Sequence, residues 1–290
     1  MTMTSFHRGQ FGPTHDIGLL GVDDVLGTLR GYRIFTTVRT VAGQLLDQDA
    51  HLNRLFNAAE FIQMSVGNAI HELRDAIPTL LQTNQCHKQD VVMQLFLSGG
   101  GVQPTGMSAL DAAWPSILVR EYHPVSDDLL QNGFKLATMA HERAFAPVKF
   151  TFYASSVIAH HTVVKQHQAD DVLFLTCGNN PMILEGSTFN VFVVQNGTIM
   201  TPRADDRILA GITRRRILEW VDGVETDILW SDRGEWDEMF LCSSVRGAVG
   251  VTMVDGKPIG DGKVGPITKE VMITMNKALN RLMHDGCYYP

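Results

Sequence analysis

Residues 185–192 read Glu-Gly-Ser-Thr-Phe-Asn-Val-Phe, a lone carboxylate at the mouth of a glycine turn that feeds an apolar strand. An acid buried there needs a cationic partner, because an uncompensated charge is very costly in an apolar interior. No lysine or arginine occurs between Lys165 and Arg203. The partner must come from far along the chain or from a bound ligand with a protonated nitrogen, for which a pyridinium ring would serve. Upstream, Lys149 stands in Ala146-Pro147-Val148-Lys149-Phe150-Thr151-Phe152-Tyr153, an apolar and aromatic setting in which a solvated lysine is not expected. Burial disfavours an ammonium, and an amine free of its proton is the nucleophile that a Schiff base requires. Taken alone, the run leaves a lysine snorkelling from an edge strand open as an alternative.

Together with Arg54, in His51-Leu52-Asn53-Arg54-Leu55, and the Gly211-Ile212-Thr213-Arg214 turn, these runs resemble the signature of the class IV (fold type IV) pyridoxal-phosphate enzymes. That family includes branched-chain and D-amino acid aminotransferases, R-selective amine transaminases and aminodeoxychorismate lyases. The resemblance covers roughly residues 30 to 270. It implies that pyridoxal 5'-phosphate is the cofactor and that Lys149, 36 residues before Glu185, forms the Schiff base. Glu185 would keep the pyridine nitrogen protonated and so keep the ring an electron sink. Arg54 would grip the phosphate, which a guanidinium fork matches better than an ammonium does. The backbone N–H groups of Ile212 and Thr213 would meet the same phosphate at a helix N-terminus. Leu209 would pack against the ring, and Ser244, beside Ser243, would supply the last phosphate-contacting hydroxyl. Tyr153 stands one position short of the tyrosine that bonds the phenolic oxygen in branched-chain enzymes. Arg143 resembles a cofactor-domain arginine of the family, with a surface salt bridge as the alternative.

The implied architecture is α+β, a two-domain fold type IV enzyme with a smaller N-terminal α/β sandwich and a larger C-terminal pseudo-barrel. The polar, turn-forming run Pro124-Val125-Ser126-Asp127-Asp128 places the boundary. It gives an N-terminal domain over 1–124, a linker over 125–132 and a cofactor domain over 133–290. Alternating apolar and β-branched runs predict strands at 33–41, 44–46, 91–98, 116–122, 133–139, 172–176, 190–194 and 239–242. Helical spacing predicts helices from Leu52, over 71–81, over 154–167, and from near Thr213 and Pro266. Gly99-Gly100-Gly101 lacks the ending of a P-loop and reads as a mobile loop.

A net charge of −7 and a pI near 5.8 argue against a nucleic-acid partner, which needs clustered Lys and Arg. Within Arg214-Arg215-Arg216, at least Arg215 and Arg216 read as a solvated face. The cysteines Cys86, Cys177, Cys242 and Cys287 form no C-x-x-C pair, which fits a reducing cytoplasm. No apolar run has the length of a signal peptide or a membrane span, so a soluble, intracellular protein is expected. His160, His161 and His167 share a helix, but adjacent histidines face different ways and suggest no metal site.

Two carboxylate clamps of the family are missing. Ser98 stands where D-amino acid aminotransferases carry an arginine, and Val92-Met93-Gln94 replaces the Tyr-Ile-Arg of branched-chain enzymes. Phe35-Thr36-Thr37-Val38-Arg39 is closest to the lyase pattern, although the lyase arginines after the second strand are absent. Arg39 and Arg246 are the candidates for a substrate carboxylate, with Phe35 a further substrate-side candidate. The reading is a transaminase that moves an amino group between an amino acid or amine and a keto acid. A lyase releasing pyruvate is the alternative, and a non-catalytic binding relative comes behind it. The resemblance also implies a homodimer.

Overall fold

The computed structural model describes residues 2–17 and 23–285; Cys287 and residues 18–22 of the N-terminal stretch lie outside them. The chain forms two compact units, Met1–His123 with Val148–Phe152, and Pro124–Pro147 with Tyr153–Pro290.

The first unit runs β1 (Thr4–His7), β2 (Gln10–Pro13), α1 (Val25–Leu29), β3 (Arg33–Val41), β4 (Gln44–Leu45), α2 (Gln48–Phe61), α3 (Ala69–Thr83), β5 (Val91–Ser98) and β6 (Trp114–Glu121). Its six-stranded sheet has the order β2-β1-β6-β5-β3-β4. Successive side chains of a strand point to opposite faces. Ile34, Thr36, Val38 and Thr40 of β3 are all fully buried on the face that α2 covers. Phe35, Thr37 and Arg39 point the other way, opposite Phe96, Gln94 and Val92 of β5. Residues 148–152 extend this unit, with Phe150 bridging antiparallel to Ile34.

The second unit runs α4 (Asp127–Asn132), β7 (Phe134–Ala140), α5 (Ala154–Ala159), β8 (Asp171–Leu175), β9 (Ile183–Gly186), β10 (Asn190–Gln195), β11 (Thr198–Pro202), α6 (Ile212–Trp220), β12 (Gly223–Thr226), β13 (Glu238–Ser243), β14 (Gly247–Val254), β15 (Lys257–Pro258) and α7 (Pro266–Asp285). The sheet order is β12-β11-β10-β13-β14-β7-β8-β9, and β9 pairs β10 as well as β8. That second pairing closes β10-β13-β14-β7-β8-β9 into a ring, as the pseudo-barrel implied by the resemblance requires. Strands covered on both faces read as unbroken apolar runs. In β10, Val191 and Val193 join Leu173, Leu241 and Val249 in one cluster. Phe192 and Val194 face the other way onto Ile217 of α6 and Val271 of α7. The Phe192 and Phe240 rings stack at 4.7 Å.

Several boundaries differ from the sequence reading. The expected linker 125–132 holds α4, capped by the Ser126 hydroxyl on Leu129 N, and its Leu129 and Leu130 pack on the barrel cluster. Residues 148–152 leave the expected C-terminal domain because their backbone bonds to β3: Phe35 N donates to Lys149 O and Thr151 N to Arg33 O. α2 begins at Gln48, so Arg54 sits in its second turn. The expected helix over 154–167 is broken by a π turn at His160–Val164.

Candidate active site

In the first unit Lys149 O accepts from Phe35 N at 2.9 Å, and the Lys149 Nζ lies 5.0 Å from the centroid of the Phe35 ring. Phe35 itself stacks on Phe96 at 5.5 Å, so a rigid aromatic pair lies beside the amine. The segment is held to β3 by an isolated antiparallel bridge at Phe150 and not by a full edge strand, and the amine lies over the Phe35 ring. From α2, Arg54 Nη2 donates to Thr36 Oγ1 at 2.6 Å. The start of β3 is fixed by a network that the sequence reading missed. Asp24 caps α1 through Gly27 N, accepts from Ser98 Oγ at 2.5 Å and from Gly100 N at 3.0 Å, and ion-pairs with Arg33. Asp24 ahead of Val25-Leu26-Gly27 is an N-cap signal that could have marked it. Ser98 is thereby committed to Asp24. Gly99 N donates to Tyr32 O, so the glycine loop read as mobile is tied down at two of its amides.

In the second unit Glu185 is 5% exposed and lies opposite Asn190 at the bridge that closes the barrel. Its cation comes from far along the chain. Arg143 donates to Glu185 Oε1 through Nε at 3.0 Å and also through Nη2, and holds Ala146 O at 3.0 Å. This is one of the two alternatives that the sequence left for the acid. Asn190 Nδ2 donates to Glu185 Oε2 at 3.2 Å and to Leu209 O at 3.0 Å, while Leu209 N approaches both carboxylate oxygens at 3.2 and 3.3 Å. Two glycines permit this packing. A Cβ on Gly186 would lie 2.0 Å from the Phe189 ring, and one on Gly211 1.9 Å from Asn190 Oδ1.

The same loop runs into α6, whose N-cap is Gly211. The first intrahelical bond is Arg215 N to Gly211 O, which leaves the N–H groups of Ile212 and Thr213 at the positive end without an α-helical partner. Thr213 Oγ1 reaches Ser244 Oγ at 3.4 Å, whereas the Ser243 hydroxyl accepts from Arg246 N and closes a turn. Arg214 is buried and pairs with Glu225, whose carboxyl it holds below the usual range; Arg215 is exposed, and Arg216 is more buried than a solvated face predicts. Burial pushes the Cys242 thiol, just before Ser243, up to about 12.

The substrate-side candidates separate. Phe35 stays beside Lys149. Arg39 lies four residues along β3 with its guanidinium over the Tyr122 ring at 4.7 Å and its Nε buried without a hydrogen bond. Arg246 is held by buried Asp171 at 3.4 Å, and the same carboxylate accepts from Ser187 Oγ at 2.6 Å and meets His160 Nε2 at 3.2 Å. Asp171 was not marked by the sequence reading. Tyr153 precedes α5 and accepts from Val157 N through its carbonyl. Among the described residues no cluster of His, Cys, Asp and Glu could hold a metal ion, and no helix is long and apolar enough to cross a membrane.

Pyridoxal phosphate brings a phosphate dianion, a ring nitrogen and an aldehyde, and each unit, taken by itself, holds groups that suit some of these. The first unit offers an amine beside an aromatic pair and a tethered guanidinium. The second offers a buried carboxylate and a helix N-terminus with two hydroxyls, fitted so closely that a Cβ on Gly211 would displace Asn190.

Residues 33–254 match the family model for amino-transferase class IV. The chain is 28% identical over 262 residues to the D-alanine aminotransferase of Staphylococcus haemolyticus, covering 87% of this chain and 89% of that one. It is 26% identical over 255 residues to a putative branched-chain-amino-acid aminotransferase of Methanocaldococcus jannaschii, covering 84% and 86%. Among solved structures it superposes on a branched-chain amino acid aminotransferase with pyridoxamine 5'-phosphate, from the organism abbreviated T.th., with a TM-score of 0.85 at 21% identity, covering 96% of this chain and 94% of that one. The branched-chain enzyme of Escherichia coli gives 0.81 at 20%, covering 98% and 95%. These relatives are aminotransferases and do not favour the lyase alternative. The chain belongs to the class IV aminotransferases and is a pyridoxal-phosphate-dependent transaminase of fold type IV.

Proposed function

We propose that the enzyme moves an amino group from an amino acid or amine to a keto acid, with Lys149 as the covalent attachment point of the cofactor. The buried Glu185 carboxylate, aimed by Arg143, Asn190 and the Leu209 amide, carries this reading, because such a group is built to hold a proton on a ring nitrogen. Bound pyridoxal phosphate supplies an electron sink for the charge left on the substrate carbon. Lys149 Nζ would hold the cofactor, and its amine, once released, would be the base that holds and moves the proton taken from the substrate carbon. Glu185 keeps its proton partner fixed throughout. In the first unit Arg54 would be a phosphate ligand; in the second the N–H groups of Ile212 and Thr213 and the Ser244 hydroxyl would be phosphate ligands, and Leu209 would pack on the ring. The Phe35 ring, stacked on Phe96, covers one side of the amine. Names of relatives that specify D-alanine and branched-chain amino acids support an amino acid as donor.

We also read the enzyme as a cytoplasmic homodimer. Leu29, Phe61 and Met107 of the first unit and Phe145 and Val157 of the second are exposed, the kind of surface a second copy covers. Cys86, Cys177 and Cys242 are all free thiols, which suits a reducing compartment. Sedimentation that finds an active monomer would overturn the dimer. The central test is reduction of the cofactor-loaded protein with borohydride followed by peptide mapping. The pyridoxyl mass is expected on the peptide containing Lys149, and a label on Lys165 instead would refute the assignment.

A further inference from the structure

Thr36 lies fully buried on the helix-covered face of β3, between Ile34 and Val38, which are also fully buried. In that apolar row nothing about strand packing calls for a hydroxyl, since valine fills nearly the same volume. Its Oγ1 nevertheless meets two side chains of α2, Arg54 Nη2 at 2.6 Å and His51 Nδ1 at 2.7 Å. His51 and Arg54 are three residues apart, the spacing that puts two side chains on one helix face. A guanidinium can only donate, so it occupies a lone pair of the hydroxyl oxygen. The oxygen keeps its own proton and a second lone pair, so either tautomer of His51 completes the pairing through Nδ1, and the buried hydroxyl is held from both sides.

We propose that Thr36 and His51 are positioning residues for Arg54. The imidazole fixes the rotation of the hydroxyl, the hydroxyl fixes one nitrogen of the fork, and the guanidinium is presented to a phosphate monoester with its orientation already set. An arginine ordered in advance loses less rotamer freedom when the anion arrives, which raises affinity without any new contact. This rests on the reading of Arg54 as a ligand of the cofactor phosphate.

Pyridoxal phosphate and pyridoxal, which lacks the phosphate, make the test selective. Dissociation constants for both are measured by absorbance titration on the full chain carrying Thr36→Val, Thr36→Ser, His51→Leu or Arg54→Ala. Thr36→Val removes the hydroxyl at constant volume, and Thr36→Ser keeps the hydroxyl but leaves a methyl-sized void. Positioning requires Thr36→Val to weaken pyridoxal phosphate roughly tenfold or more while leaving pyridoxal unchanged. Thr36→Ser should bind like the parent although it melts lower. A packing role gives the reverse order, with valine neutral and serine impaired, and would overturn the proposal. His51→Leu leaves Thr36 in place and should give a phosphate-selective loss of roughly threefold to tenfold. An unchanged constant there overturns the part assigned to His51 and, should Thr36→Val not fold, decides the case. If Arg54→Ala loses phosphate affinity but Thr36→Val does not, the positioning idea fails and the phosphate site stands. If Arg54→Ala binds normally, the phosphate site itself falls.

Discussion

Glu185 and Asn190 face each other across the bridge that closes β9 onto β10, and Asn190 joins the Glu185 carboxylate to the Leu209 carbonyl. One amide therefore ties the barrel seam, the acid and the loop that opens α6. Any change that displaces it should disturb the acid and the helix N-terminus together.

Gly211→Ala tests that coupling. Its Cβ would lie 1.9 Å from Asn190 Oδ1, so the side chain or the loop has to move. Overpacking of this kind costs about 1 to 3 kcal/mol. Thermal melts should show the loss of stability, and cofactor titration should show weaker binding. A variant that melts and binds like the parent would show that the Asn190 contact does not hold the loop.

Glu185→Gln keeps the shape and removes the charge. The protein should fold and bind cofactor, while turnover falls by more than roughly 10²-fold, the usual scale for losing one electrostatic or proton-holding group. Stopped-flow rates for a single half-reaction measure it, and parental rates would refute the role. Arg143 would then face a neutral amide, so a melting temperature recorded alongside separates a catalytic loss from an unfolded one.

Much of the chemistry was legible because it lies in short contiguous runs. Glu185 to Phe192 and Gly211 to Arg214 carry their glycines, amide and helix start within a few residues, and it was through such runs that the family resemblance could be recognised. What was not legible depends on long-range pairing. Arg143 reaches Glu185 across 42 residues and Ser98 reaches Asp24 across 74, and neither distance leaves a local pattern. The segment at 148–152 bonds to β3 through two backbone hydrogen bonds around one bridge, too few for a periodic signal. The early turn of α2 was missed because Gln48, Asp49 and Ala50 show no apolar period. Helix α4 did announce itself through Ser126-Asp127-Asp128, a cap followed by acids in the first turn.

Asp24→Asn should destabilise the first unit. Asp24 and Arg33 have side chains only 5% and 8% exposed, so the change strands a buried guanidinium. Breaking such a pair costs about 3 to 5 kcal/mol, and replacing both partners by neutral residues of similar size recovers much of it. Denaturant unfolding of Asp24→Asn and of Asp24→Asn with Arg33→Met measures both arms. Equal stabilities for the parent and the single variant would contradict the network.

Among the three described thiols, thiol chemistry should single out Cys177. Burial pushes Cys86 up to about 11 and Cys242 up to about 12, with Asp90 adding to the first. At pH 8 their thiolate fractions are then only ~10⁻³ and ~10⁻⁴, and the thiolate is the nucleophile. Cys177 is free and exposed. Iodoacetamide on the folded protein followed by peptide mapping should label Cys177 and spare Cys86 and Cys242. Labelling of Cys242 at a comparable rate would mean that β13 opens.

The run Phe35-Thr36-Thr37-Val38-Arg39 gave the sequence its one lyase-like feature, and the fold divides that run between two faces. Thr36 bonds to His51 and Arg54 beneath the helices, so only Phe35, Thr37 and Arg39 share the face beside Lys149. Ser98 is held by Asp24, and Arg39 stands over Tyr122 four residues beyond Phe35, which is about 13 Å along a strand. Arg33, two residues before Phe35 on the same strand face, is itself paired with Asp24, so neither it nor Arg39 stands ready beside Phe35 for the second carboxylate that a lyase substrate carries. A transaminase has to leave its cofactor in the amine form after the first half-reaction. An amino donor alone should therefore bleach the visible band of the loaded enzyme, and a keto acid should restore it. A lyase would return to its starting form in every turnover with no acceptor present. Absorbance spectra with D- and L-alanine and with branched-chain amino acids, each followed by a keto acid, decide the matter and identify the donor. Steady pyruvate release from aminodeoxychorismate without a keto acid would reverse it and send mutagenesis to Thr37 and Arg39.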